Sequence, residues 1–322
     1  MRLNTAARGA RAKVARPRPA RAGPAPCRAF LAGRAGLMLA LLSGPIALLT
    51  GPFAVLSGPT ARAAGGPEPA ETPGPRVRIV TTTTMIGAAV ADLAGDWTEI
   101  TVLTPPSACP GQIDVGPKQV EALHHADLIL RHDYEIFLDQ RLRALEIDPK
   151  RFMLVGTTGQ QNLPDGYVSL CAQVSEILSA RFPDHAVTVR RQQAEVARRV
   201  RLLGRREGAR VHDHLKGKQL VVATFQTGFV GWAGGAVAGT FDQGDDMSLD
   251  RVKDLMTTAV EQHVIWVVGN LQWGDRALRS LSESLGVPGV NLSGYPASAE
   301  PGAFDRLLTG NVDQLISLTK GN

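Results

Sequence analysis

From Val77 onward, apolar residues fall in short blocks, and each block is followed by a stretch in which they recur at helical spacing. Val77-Arg-Ile-Val-Thr-Thr predicts a strand and Met85 to Gly95 a helix; Glu99-Ile-Thr-Val-Leu-Thr predicts a second strand. A loop rich in Pro, Gly and Cys precedes a helix from Lys118 to His125. Asp127-Leu-Ile-Leu predicts a third strand, Tyr134 to Leu145 a helix, and Phe152-Met-Leu-Val a fourth strand. The pattern then changes. From Asp184 to His214 there is no strand signal after Phe182-Pro183; Val189, Val196, Val200 and Leu203 keep helical spacing, with Arg and Gln on the other face. A helix of that length runs about 45 Å at the usual rise per residue, and it predicts a strut joining two lobes, with Gly204 and Gly208 softening its second half.

The strand–helix rhythm then resumes. Strands are predicted at Gln219 to Thr224, Ala236 to Thr240, Val264 to Val268 and Gly289 to Leu292. Helices are predicted at Gln226 to Ala233, Leu249 to Gln262, Asp275 to Leu285 and Phe304 to Leu318. Alternating strands and helices argue for parallel sheets. The fold class is α/β: two α/β lobes with parallel sheets, joined by one long connecting helix, with a ligand cleft between them. The boundaries read from the pattern are 76–183 for the first lobe, 184–215 for the helix and 216–322 for the second lobe.

Residues 1–64 read differently. They hold ten basic side chains and no acid, then an apolar run from Gly36 to Leu56, then Ala61-Arg62-Ala63. This is the layout of an export signal with its cleavage site, with the start codon at Met1 or downstream at Met38. An uncleaved anchor is the alternative, because the apolar run can span a bilayer. Gly44-Pro45, Gly51-Pro52 and Gly58-Pro59 weaken such a helix and favour processing. Cys27 precedes the apolar run and is therefore not a lipid-attachment cysteine. Residues 65–75 form a Pro/Gly tether. Beyond the leader the charge reverses: residues 65–322 carry 25 Lys and Arg against 30 Asp and Glu, a formal −5. The basic isoelectric point of 9.4 belongs to the leader, and the remainder has no basic footprint for nucleic acid.

The candidate chemistry lies at strand ends. Cys109, Gln112 and Asp114, in the loop after the second strand, offer a soft sulfur and two oxygens, and thiolate suits zinc and other thiophilic metals. The plainer alternative is a turn shaped by Pro and Gly, with Cys109 a free thiol or disulfide-bonded to Cys171. His132 follows the third strand, as a metal or polar ligand or as a cap on the next helix. Thr81 to Thr84 end the first strand; one of them N-caps a helix, and Thr83 faces the cleft. Gln226 and Asn270 follow the first and third strands of the second lobe, and Trp273 lines a pocket. His212 and His214 offer only a loose pair. There is no phosphate-binding glycine loop, no His-Glu-x-x-His and no Gly-x-Ser-x-Gly.

Lys118-Gln-Val-Glu-Ala-Leu-His-His-Ala-Asp-Leu-Ile-Leu, Lys218-Gln-Leu-Val-Val-Ala-Thr-Phe-Gln and Gly286-Val-Pro-Gly-Val-Asn-Leu carry a family likeness. Over roughly Arg76 to Thr319 the chain resembles the zinc/manganese solute-binding proteins that deliver metal to ABC importers. The resemblance implies two lobes on a long helix, a transition metal (zinc or manganese) as transported ligand, and a membrane permease as partner. It also implies a monomer in the periplasm or on the outer face of the cytoplasmic membrane. The departures are as specific as the matches. The family's histidine ligands fall at Gly111, near Asn162 to Tyr167, and at Phe225-Gln226; its acidic ligand falls at Asn270. The chain is similar to a divergent branch with a Cys-Pro-Gly-x-x-Asp loop, in which Cys109, His132 and amide oxygens would meet the metal. A metal chelate or small polar solute held by Thr83, Gln112, Gln226 and Asn270 is the first alternative cargo. An enzyme using Cys109 as nucleophile and His132 as base is a further alternative, with no third orienting group in view. An adhesive role through surface contacts is another.

Overall fold

The structure, a computed structural model, describes residues 76–109, 115–242 and 248–320. The leader, the tether, Gln112 and Asp114 lie outside the described residues.

Two four-stranded sheets are built to one plan. The first holds β1 (Val77–Thr81), β2 (Thr98–Val102), β3 (Leu128–His132) and β4 (Phe152–Val155) in the order β2-β1-β3-β4. The second holds β5 (Gln219–Ala223), β6 (Ala236–Phe241), β7 (Val264–Asn270) and β8 (Gly289–Leu292) in the order β6-β5-β7-β8. All neighbouring strands are parallel, so each connection crosses over through a helix or loop. In each sheet the strand order reverses direction between the two central strands, β1 and β3 or β5 and β7. The crevice beyond the carboxyl ends of such a pair is where open α/β sheets bind ligands.

Strand periodicity sorts the core into layers. Ile79 and Leu130 face one way and Val80 and Ile129 the other, as alternation along a strand requires. Val80 and Ile129 pack on Leu123 of α2 (Pro117–His125) and on Leu138 and Leu142 of α3 (Phe137–Ala144). In the second lobe Val221 and Val267 pack on Leu255 of α7 (Leu249–Glu261) and Leu278 of α8 (Arg276–Leu285). The opposite faces of both sheets share one continuous core. It runs through α1 (Thr84–Ala94), α4 (Pro164–Arg181), α5 (Ala186–Leu215), α6 (Thr227–Trp232) and α9 (Ala303–Leu318).

Helix α5 is the predicted strut. It packs on α1 and α4 in the first half of the molecule and on α9 in the second. Its two glycines are contact points, which corrects the expectation that they soften it. The helix runs unbroken through both. A Cβ on Gly204 would lie 2.6 Å from Pro164 Cγ at the start of α4, and one on Gly208 would lie 3.3 Å from Trp232 Cζ2 of α6.

Two further differences separate the pattern reading from the fold. Helix α4 spans Pro164 to Arg181, where the apolar pattern predicts no element. Helix α3 begins at Phe137, not at Tyr134. The Glu135 carboxylate accepts from the His132 amide at 2.8 Å and from Thr82 Oγ1 at 2.6 Å, which ties Tyr134 and its neighbours into a turn first. Among the described residues no helix is long and apolar enough to cross a membrane.

Candidate ligand cleft

Four residues at or just beyond the carboxyl ends of the central strands meet two by two. In the first lobe Thr83 Oγ1 lies 2.9 Å from His132 Nε2. Thr83 is also the cap of α1, accepting from the Ile86 amide. In the second lobe Gln226 Nε2 donates to Asn270 Oδ1 at 2.8 Å and to the Leu292 carbonyl at 3.2 Å. Gln226 Oε1 accepts from Asn162 Nδ2 at 3.1 Å. Asn162 comes from the loop after β4, so this bond crosses from one sheet's loops to the other's. Gln272 makes a second crossing: its Nε2 donates to the Pro106 carbonyl at 2.8 Å while its Oε1 accepts from the Gly294 amide. Tyr134 and Tyr295 make a third, with their hydroxyls 3.2 Å apart.

Burial sets the electrostatics. His132 is fully buried, with Tyr134 stacked on its ring at 4.9 Å. Loss of solvent pushes its pKa down to about 4, against a smaller upward pull from the Asp133 carboxylate, so the imidazole is neutral at pH 7. Its Nδ1 has no hydrogen-bond partner. Burial also raises the Glu135 carboxyl, which the Thr82 and His132 hydrogen bonds and the Arg131 charge oppose. Arg131 itself pairs with Asp139 at 2.6 Å and donates to the His132 carbonyl. Burial drives both cleft tyrosines upward, Tyr295 to about 12 and Tyr134 further, so both are neutral phenols.

Between these crossings lies a cavity of about 320 Å³. Its walls are aromatic on both sides: Tyr134 from the first lobe, and Phe225, Trp273 and Tyr295 from the second. Phe225 stands edge-on to Trp273 at 5.9 Å and is 66% exposed. The polar lining is a set of carboxamides and hydroxyls, with Gln160, Gln161 and Asn162 in one run and Asn270 and Gln272 opposite. Cys109 is the lone thiol among the described lining residues.

The residues singled out from the sequence divide accordingly. Cys109, Asn270 and Trp273 line the cavity. Thr83, His132 and Gln226 sit behind its wall as buried braces. Gln112 and Asp114 lie outside the described residues. Both described cysteines are free, with Cys171 buried on α4, so the disulfide alternative is not realised. The nucleophile–base alternative finds no support in the hydrogen bonds, because His132 Nε2 faces Thr83 and not Cys109. Tyr134, Tyr295, Gln160 and Gln161 are lining residues that the sequence does not single out. Three consecutive carboxamides just after a strand were a usable signal; the tyrosines, single residues in different lobes, were not.

The described residues do not suit a bare divalent ion. Among them no three His, Cys, Asp or Glu side chains stand close enough to hold one. Transition-metal sites draw on thiolate, imidazole and carboxylate, and here the imidazole and the carboxylate of the β3 turn are committed inside the wall.

The family model for ZnuA, zinc-uptake complex component A, periplasmic, matches residues 79–317. No curated protein matches the sequence. Among solved structures, a zinc-bound deletion mutant of ZnuA aligns with TM-score 0.63 at 16% identity, covering 75% of this chain and 97% of that one. The solute-binding protein FpvC of Pseudomonas aeruginosa in complex with Mn²⁺ aligns with TM-score 0.65 at 15% identity, over 76% and 99%. Lmb of Streptococcus agalactiae, a laminin-binding protein with adhesin and metal-transporting activity, aligns with TM-score 0.62 at 15% identity, over 75% and 98%. At such identities the structures share the fold, while the sequence match extends across both sheets and the helix between them. The chain therefore belongs to the ZnuA family of periplasmic zinc-uptake components.

Proposed function

We propose that the protein is the extracytoplasmic solute-binding component of an ABC importer. It takes a transition metal, zinc or manganese, into the cleft and delivers it as a monomer to a membrane permease. One observation carries the reading: on a ZnuA-family scaffold, a cavity opens where the carboxyl ends of both central strand pairs converge. Cys109, Asn270 and Trp273 meet the cargo there, together with Gln112 and Asp114 of the loop that follows Cys109. Thr83, His132 and Gln226 hold the cleft walls in place. Residues 1–64 export the chain to the periplasm or the outer face of the cytoplasmic membrane, and 65–75 are a Pro/Gly linker ahead of the lobes. Residues 76–183 and 216–322 are the lobes, joined by 184–215. The role is binding, not catalysis.

The test is cellular. A strain lacking the chain, grown at limiting zinc or manganese, should accumulate less of one metal by elemental mass spectrometry. The intact gene should restore it. Unchanged content of both metals in the deletion strain would reject the reading.

A further inference from the structure

The cavity's size and its described walls suit a small organic ligand better than a naked cation. A metal bound by protein atoms alone is enclosed at about 2.0–2.3 Å from each ligand and needs no free volume around it. A space of about 320 Å³ is instead the lower end of what small organic ligands occupy.

The lining is also uncharged. Among the described residues it contains no Asp, Glu, His, Lys or Arg. The nearest acidic group on the β3 turn, Glu135, is fully buried and already accepts from Thr82 and the His132 amide. Among these described groups a divalent ion would exchange its water for amides, hydroxyls and, at most, the single negative charge of a Cys109 thiolate. The two phenols add none, since their burial and mutual hydrogen bond keep them protonated.

What the walls do offer is flat apolar surface on both sides. Tyr134 rises from one lobe, and Phe225, Trp273 and Tyr295 from the other. Phe225 leaves two-thirds of its surface open beside the cavity and meets the ring of Trp273 at right angles. Carboxamides from both lobes surround these rings and can satisfy the polar rim of a neutral solute in either donor or acceptor sense.

We propose that the cargo enters this cleft as a charge-neutral complex of the metal with a small, flat, aromatic chelator, held by the aromatic walls and the carboxamides. This rests on the transition-metal reading above and specifies the form in which the metal is carried. The chelator supplies negative charge that the described walls do not. The protein supplies stacking surface, on which each well-placed ring contributes on the order of 1 kcal/mol beyond area burial.

The test uses the purified full chain, calorimetry and tryptophan fluorescence. The probes are zinc chloride, manganese chloride, picolinate alone, and the 2:1 picolinate–zinc complex, which is flat-ringed and uncharged. The complex should bind one-to-one and perturb the fluorescence, while the three other probes should not. Phe225→Ala, at an exposed position that leaves folding intact, should weaken the complex by about tenfold. One-to-one binding of either chloride salt that Cys109→Ala abolishes would overturn the inference and leave the metal-carrier reading standing. Equal binding of picolinate alone would overturn it in favour of a metal-free solute. No response to any probe would overturn it as well, and metal accumulation in the deletion strain would still decide the broader reading separately.

Discussion

His132 illustrates how surroundings decide what a residue can do. It is the last residue of β3, a strand that the apolar pattern ends two residues earlier. The sequence does not show that the ring turns inward, under Tyr134 and against Thr83, because that depends on the β3 turn closing through Glu135. The consequence is measurable. With a folded pKa of about 4 against an ordinary 6.5, the neutral ring is favoured by the fold. The stabilisation is complete above pH 6.5 and is lost as pH falls towards 4, by up to about 3 kcal/mol. Glu135, raised by burial, takes up its proton within the native state and offsets part of that loss at the acid end. Asp133 is held down first by its Thr157 hydrogen bond and least by the His132 charge, so urea unfolding from neutral pH to pH 4 should show a shallower decline for His132→Gln than for the wild type. Parallel declines would show that the ring does not titrate as described. Gln226 and Asn270 were legible as strand-end carboxamides, but their direct bond was not, since it joins strands far apart in the chain.

The helices divide into those with a visible pattern and one without. Helix α5 announces itself through a single buried stripe of Val189, Val196, Val200, Leu203, Val211 and Leu215. Helix α4 is flanked by α1 and α5 and buries Tyr167, Val168, Leu170, Cys171, Val174 and Leu178 on more than one side, which blurs the stripe. Its Pro164 is a helix-start residue that invites reading as a loop. The same proline explains Gly204. Replacing a mid-helix glycine by alanine ordinarily stabilises by about 1 kcal/mol. At Gly204 the new methyl would collide with the Pro164 ring, and overpacking costs about 1–3 kcal/mol. Gly204→Ala should therefore lower the unfolding free energy by up to about 2 kcal/mol in urea. A gain in stability would mean that α4 and α5 are not pressed together there.

On the scale of the molecule, two sheets with one shared core behave as a single body. Asp92 of α1 is the polar counterpart of that core. It accepts from Tyr167 Oη of α4 at 2.9 Å, pairs with Arg199 of α5 at 2.8 Å and accepts from the Gly302 amide before α9 at 2.8 Å. Arg199 is partly exposed and can recover water, so Asp92→Ala should cost about 3 kcal/mol, the low end for breaking a buried pair. Circular dichroism and tryptophan fluorescence should still report one coincident urea transition, because both lobes draw on the same core. Two separated transitions would contradict the shared core and restore the picture of independent lobes on a flexible strut. The two-lobe plan was readable from strand–helix alternation; the common core was not, because it is assembled from helices at opposite ends of the chain. The two cysteines carry a last consequence. Cys171 is sealed inside α4, where burial holds its thiol protonated, and Cys109 stands unpaired at the cleft. No covalent crosslink joins these two cysteines, so the described fold rests on its packed core and hydrogen bonds, and a reductant should leave its urea transition where it is.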